Sequence, residues 1–171
     1  ADLINTVSPN YAKEIMTPDY GELLDGLLRE RRSRLYGVIN GIDYDVLNPE
    51  TNANVVEHYN VRDLDRRLKN KIHLQSRFNL PQDEKVFVLG IVARLIEQKG
   101  FDLLSPIADQ LLNELPMQLV VLGAGDSKYM GFFQDLEKRF PGRVAAHLVF
   151  DRDLPHMVYA GADAVLIPSK F

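Results

Sequence analysis

Arg94, Glu97 and Lys99 stand close together in a stretch with no helical or strand periodicity of its own. Arg offers a planar fork of donors and Lys a compact point charge, and both suit phosphate oxygens. Five positions apart in one loop, two such cations could hold a diphosphate and neutralise the charge that grows as it leaves. Taken alone, the same side chains read equally well as solvated loop charges, because exposed Arg and Lys are the norm. Their setting is more telling. The stretch Lys85–Gly100 runs K-V-F-V-L-G-I-V-A-R-L-I-E-Q-K-G. Val86 to Val92 is the apolar, β-branched run of a strand buried on both faces, and Gly100 leads into an amphipathic helix. Open parallel sheets bind ligands outside the carboxyl ends of their strands, where the next helix N-terminus favours anions.

Other residues invite weaker readings. Gly123-x-Gly125 after a buried run could begin a dinucleotide fingerprint, with Asp151 after the next strand as the ribose-binding carboxylate. Lys128 stands where the third glycine belongs, so the pair reads either as a resting place for a nucleotide or as a tight turn. Asp43/Asp45, Asp63/Asp65 and Asp151/Asp153 each form an Asp-x-Asp triplet that could hold a divalent ion against a diphosphate. Three such triplets in an Asp-rich chain read as coincidence and solvated carboxylates. His58, His73, His147 and His156 lack metal-ligand spacing; of these, His156 falls on the ligand-binding edge. Phe150 closes a strand on that edge, where an aromatic face either packs or stacks on a base. There is no Gly-x-Ser-x-Gly elbow and no P-loop, so nucleophilic hydrolysis has no support.

The elements that must position these residues follow from pattern. From Glu84 onward, strands at 86–92, 117–122, 144–150 and 164–167 alternate with helices near 101–115, 128–140 and 153–160. The helix over 101–115 carries an apolar stripe of Leu104, Ile107, Ala108, Leu111, Leu112 and Leu115. This alternation predicts an α/β fold, a Rossmann-like parallel sheet with helices on both faces. Upstream, residues 2–7 and 35–39 read as short strands, with Ser8-Pro9 as cap and first residue of a brief helix. Leu23, Leu24, Leu27 and Leu28 have helical spacing, interrupted by Gly21 and Gly26. Asn40-Gly41 reads by itself as a tight turn. Residues 44–63 form an ordered connector, and 63–78 a helix with Leu64, Leu68 and Ile72 on its apolar side.

Bulk properties narrow the class. A net charge of −4 without a basic cluster argues against a nucleic-acid surface. No apolar run reaches membrane-spanning length. The chain has no cysteine, which removes disulfides and thiolate chemistry and fits a cytoplasmic protein.

In order and spacing the segments resemble bacterial glycogen synthases and plant starch synthases, ADP-glucose-dependent glycosyltransferases of the two-Rossmann-domain GT-B fold. The carriers are T-V-S-P-N-Y-A-K-E-I (6–15), R-L-Y-G-V-I-N-G-I-D-Y-D (34–45), N-P-E-T (48–51), A-R-L-I-E-Q-K-G (93–100), L-G-A-G-D (122–126) and G-A-D-A-V-L-I-P-S-K-F (161–171). The resemblance implies that Arg94 and Lys99 contact the distal phosphate of ADP and act catalytically on the leaving diphosphate. It implies that Val149 and Phe150 face adenine, where relatives often carry Tyr, and that Asn40 lies near the glucosyl site. Gly123, Gly125 and His156 join the nucleotide-binding set, the role of His156 being left open. Ala93 replaces a Ser or Gly of many relatives.

The implied reaction is retaining transfer of glucose from ADP-glucose to the non-reducing end of an α-1,4-glucan, with no metal and no cofactor. The alternative is a Rossmann-type module binding NAD or another nucleotide without transferase activity. The expected organisation is residues 1–60 as the end of an acceptor domain with its connector, and 61–171 as the first half of a nucleotide-sugar domain. Strand-like runs at both ends suggest an internal fragment, inactive alone because the family's Lys-x-Gly-Gly loop and Glu-Pro-x-Gly motif lie outside it. Self-association through an exposed sheet edge is expected. The compartment is the cytoplasm, or a plastid in a plant.

Overall fold

The computed structural model describes residues 2–170, so Ala1 and Phe171, the outermost residues of the terminal runs, lie outside the described residues. Two compact units divide between Tyr44 and Asp45. The division falls sixteen residues before the boundary expected near 60, since residues 45–60 bond to the second unit. Asn70 there accepts from the Glu57 amide at 3.1 Å and donates to the Glu57 carbonyl at 2.8 Å.

In the first unit β1 (Ile4–Thr6) pairs in parallel with β2 (Leu35–Gly37), Ile4 facing Leu35. Between them run α1 (Pro9–Glu14) and α2 (Asp25–Glu30). The Ser8 hydroxyl caps α1 by accepting the Tyr11 amide at 2.9 Å, and Pro9 takes the first helical position. Leu23 departs from the helical spacing read in the sequence. It has φ 68° and is 98% exposed, so α2 begins only after it. Asn40-Gly41 forms no turn, and residues 38–43 run without regular structure.

The second unit opens with the irregular connector and a 3-10 turn at Leu64–Arg66, then α3 (Arg67–Arg77). Its buried side is not the predicted leucine stripe. Leu64 and Leu68 are exposed, whereas Asn70, Lys71, Leu74 and Gln75 are buried. The polar members of that set find partners in the loops below the sheet, which removes the cost of burying them.

Four strands follow: β3 (Phe87–Val92), β4 (Met117–Leu122), β5 (Val144–His147) and β6 (Ala164–Val165). They are all parallel, in the order β5-β4-β3-β6. Side chains alternate between two cores. Leu119 and Val121 join one face with Phe101, Leu112, Phe133 and Leu136. Val88, Val120 and Leu122 join the other with Leu74, Phe78 and Val158. Burial on both faces explains the continuous apolar runs of β3 and β4.

The predicted helix over 101–115 is two pieces, α4 (Phe101–Leu104) and α5 (Ala108–Glu114). Pro106 sits between them and cannot donate to the preceding turn. Ile107 and Leu115 consequently leave the stripe and are exposed. α6 (Ser127–Arg139) and α7 (Leu154–Gly161) complete the unit. β5 stops at His147, so 148–150 leave the sheet as a bend. Glycine fits α7 closely to the sheet: a Cβ on Gly90 would crowd Val158, and one on Gly161 would crowd Asn70 and Leu74 of α3.

Candidate functional site

Arg94 rides on an extension of the sheet beyond β3. The Ala93 amide donates to the Leu122 carbonyl at 3.2 Å and the Leu95 amide to Ala124 at 2.9 Å. The Asp126 amide donates back to Leu95 at 2.8 Å, and Leu95 bridges Gly125 in parallel. This pairing requires glycine opposite it. A Cβ on Gly123 would overlap the Ala93 carbonyl oxygen, and one on Gly125 the Leu95 carbonyl oxygen. The glycine pair therefore seats the arginine loop. Packing against protein backbone accounts for both glycines without any dinucleotide fingerprint.

Leu95 is fully buried beneath the loop, so Arg94 is exposed above a fixed base. The chain then makes a 3-10 turn, Glu97–Lys99, and reverses at Gly100, whose φ of 71° suits glycine. Neither Arg94 nor Lys99 makes an ion pair or side-chain hydrogen bond among the described residues. Glu97, the acid between them, faces Lys170 at 3.8 Å.

A cleft of about 530 Å³ opens at the carboxyl ends of β3, β4 and β5. Six sequence candidates line it: Arg94, Gly123, Gly125, Val149, Phe150 and Asp151. Phe150 is 81% exposed, so its ring is not a packing residue of this unit. Lys99 lines a neighbouring cleft of about 270 Å³, which shares the Val92-Ala93 wall and is closed by Leu166 to Ser169. That second cleft lies beside β3 and β6, where the strand order, after running outward from β3 through β4 to β5, returns to the other edge of β3, the kind of switch point where open α/β sheets take ligands.

The candidate carboxylates are engaged within the fold. Asp151 Oδ1 accepts the amides of Leu154 and Asp153, both at 2.8 Å, at the start of α7. Those backbone N–H groups, Leu154 first, hold its carboxyl below the usual carboxylate range. The oxygen expected to meet a ribose thus serves the helix. Asp63 accepts from the Asn60 amide and pairs with Arg66 at 3.4 Å. No group of three His, Asp or Glu residues among the described residues is placed to hold a metal ion.

His156 is not among the residues lining the main cleft. Its Nδ1 lies 2.9 Å from Asn52 Nδ2, in a small pocket with connector residues Leu47, Pro49 and Val55. The same Asn52 amide donates to the Val46 carbonyl, while its Oδ1 accepts from the Asn54 amide. The orientation of Asn52 is thereby set, Nδ1 of His156 accepts, and its proton resides on Nε2. Asn40 lies in the first unit, exposed on the segment after β2. Sequence reasoning missed Asn52 and Asp102, which carry no motif signal, and the part played by Lys170, which stands in the quoted 161–171 segment but gains its partners only through the fold.

The site and topology define a class: a Rossmann-type parallel sheet with an open cationic rim at the carboxyl ends of its strands. Comparison with known proteins goes further. A model of the starch synthase catalytic domain family matches residues 1–30. Over all 171 residues the chain is 47% identical to the glycogen synthase of Thermosipho africanus and 48% to glycogen synthase 1 of Methylococcus capsulatus. It spans 35% and 34% of those two proteins. The catalytic domain of starch synthase IV from Arabidopsis thaliana, bound to ADP and acarbose, superposes on the whole chain with a TM-score of 0.92 at 32% identity, the chain covering 35% of it.

From end to end, then, this chain resembles the glycogen and starch synthases, and its fold is that of a section of a GT-B glycosyltransferase. The likeness favours that reading over a free-standing NAD module. Among the described residues no helix is long and apolar enough to cross a membrane.

Proposed function

We propose that this chain carries the diphosphate-binding part of a retaining, ADP-glucose-dependent glucan synthase, with Arg94 and Lys99 stabilising the diphosphate as it departs. The observation that carries the reading is a pair of cations without side-chain partners among the described residues, on one glycine-seated loop, lining adjoining clefts at the carboxyl rim. In the transfer, the bond from the glucose anomeric carbon to the distal phosphate oxygen breaks and its electron pair stays on the diphosphate. The anomeric carbon bonds to the acceptor 4-hydroxyl oxygen, whose proton passes to the departing diphosphate. Fixed positive charge at the phosphates lowers that barrier without any metal. Arg94 supplies the fork and Lys99 the point charge. Phe150 offers the face and Val149 the edge for adenine, while Gly123 and Gly125 floor the cleft. His156 acts at one remove, anchoring the connector.

ADP as the nucleotide is supported by the starch synthase IV structure, which holds ADP. On this reading the first unit belongs to the acceptor-binding side, with Asn40 near the glucosyl group and an α-1,4-glucan as acceptor, and the connector joins it to the nucleotide side. The second unit is the nucleotide side, the setting is cytoplasmic, and the chain alone does not transfer glucose. The β6 edge is a route to self-association, which light scattering at rising concentration reads directly.

Calorimetric titration with ADP, ADP-glucose and NAD tests the central claim. ADP and ADP-glucose are expected to bind, and Arg94→Ala to weaken both at least about tenfold, as loss of a charge-assisted contact does. Binding of NAD with no response to ADP would overturn it.

A further inference from the structure

Lys170 lies far from Arg94 in sequence, yet it closes the loop that carries Lys99. Its backbone N–H donates to the Gln98 carbonyl at 3.0 Å. Its ammonium lies 2.9 Å from Asp102 Oδ2 and 3.8 Å from Glu97 Oε1. Glu97 and Gln98 are the two residues before Lys99, and Asp102 opens α4 three residues after it. Gly100, between them, meets the Pro168 carbonyl so closely that a Cβ would overlap it. The backbone on both sides of Lys99 is therefore tied to the 168–170 segment, while the Lys99 side chain is left unbonded.

The carboxylate at the centre of this arrangement depends on Lys170. Among the described residues Asp102 Oδ1 is buried without a hydrogen-bond partner, and the strongest polar contact of the side chain is the bond from Lys170 to Oδ2, ahead of the backbone N–H of Asp102 itself. The Lys170 hydrogen bond holds the Asp102 carboxyl below its usual range, and Asp102 in turn raises the Lys170 ammonium. With two carboxylates around it, Lys170 is compensated and unsuited to serve as an anion ligand itself.

We propose that Lys170 is a positioning residue: with Asp102 it forms an ion-paired strap across the Glu97–Lys99 turn that sets the Lys99 ammonium for the distal phosphate of a nucleoside diphosphate. The inference rests on the nucleotide-binding reading above. It assigns the strap to the phosphate end of the ligand and not to the base, and that distinction makes it testable.

The experiment compares ADP with adenosine as calorimetric probes on the full chain and on Lys170→Met, Lys170→Arg and Asp102→Asn. Hydrogen exchange at the Lys99 and Gly100 amides, which donate to Ile96 and Glu97, is followed in parallel. Lys170→Met and Asp102→Asn are expected to weaken ADP about three- to fivefold, the range of a partly exposed ion pair. Adenosine binding should stay unchanged, Lys170→Arg should restore ADP affinity, and both amides should exchange faster in Lys170→Met. Unchanged ADP affinity in Lys170→Met, when Arg94→Ala weakens it, overturns the strap. So does a parallel loss of ADP and adenosine, which marks a merely structural role. If the unsubstituted chain binds neither probe, the nucleotide reading falls, and exchange alone decides whether the strap holds the turn: faster exchange supports it and unchanged exchange overturns it.

Discussion

At the amino rim of the four-stranded sheet, the buried side chains of Lys71, Gln75 and Gln118 are all bonded to other parts of the fold. Lys71, nearly inaccessible, pairs with Asp163 at 2.7 Å and donates to the Glu84 carbonyl at 2.9 Å. Asp163 also accepts the Val88 amide at 2.7 Å. Gln75 and Gln118 bond to each other at 2.9 Å and to the Asp83 and Pro81 carbonyls. At the carboxyl rim the chain holds the same kinds of side chain and leaves them open. Among the described residues Arg94, Lys99 and Phe150 have no such partners, while the backbone beneath them is tied at Leu95, Gly100 and Asp126. One rim uses charge to close the fold, and the other uses a closed backbone to present charge. Rigidity under an unpartnered cation is what a preorganised anion site requires.

If that contrast is right, the two rims should respond to substitution in opposite ways. Asp163→Ala should be the most damaging, because it strands Lys71 in the interior and leaves the Val88 amide unpaired. A loss of about 3 kcal/mol in urea unfolding is expected, at the lower end for a broken buried pair because Asp163 is partly solvated. Gln118→Leu comes next, since it unpairs the Pro81 carbonyl and half of the Gln75 amide contacts. About 1–2 kcal/mol should be lost. Arg94→Ala, by contrast, should shift stability by less than about 0.5 kcal/mol while removing ADP affinity. Equal destabilisation by Asp163→Ala and Arg94→Ala would erase the distinction between the rims.

The same contrast explains what could be read from the residues alone. β3 and β4 announced themselves because both faces are apolar, and Ser8-Pro9 marked α1 because capping is local chemistry. The arginine loop was legible as a spacing of charges after a buried strand. The amino rim was not, since its polar residues look like a solvated helix face until their partners, 8 to 92 positions away, are brought together. α3 was misoriented for that reason: Lys71 and Gln75 are polar by type and interior by contact. The apolar stripe over 101–115 continues across Pro106, and the stripe alone does not show the break that the proline makes. Asn52 bonding to His156, and Lys170 to Asp102, join residues 104 and 68 positions apart, and no local pattern signals either.

Asp151 sharpens the comparison from within the carboxyl rim, because it lines the cleft yet behaves like an amino-rim residue. Its Oδ1 is engaged by the Leu154 and Asp153 amides, and these bonds lower its pKa. A carboxyl whose folded value lies below its unfolded one contributes stability that is fully present above the unfolded value, about 3.9. The contribution fades as pH falls through the depressed folded value. Melting of the chain and of Asp151→Ala, followed from about pH 6 to about pH 2.5, should therefore show a small gap at the upper end that closes on acidification. A gap that persists at the acidic end would mean the side chain acts through packing and not as a charged acceptor. Ligand binding adds the decisive contrast: Asp151→Ala should soften the start of α7 and leave ADP affinity nearly unchanged, because its bonded oxygen faces the helix. Loss of ADP affinity with no change in melting would place Asp151 with Arg94, as an open group awaiting a ligand.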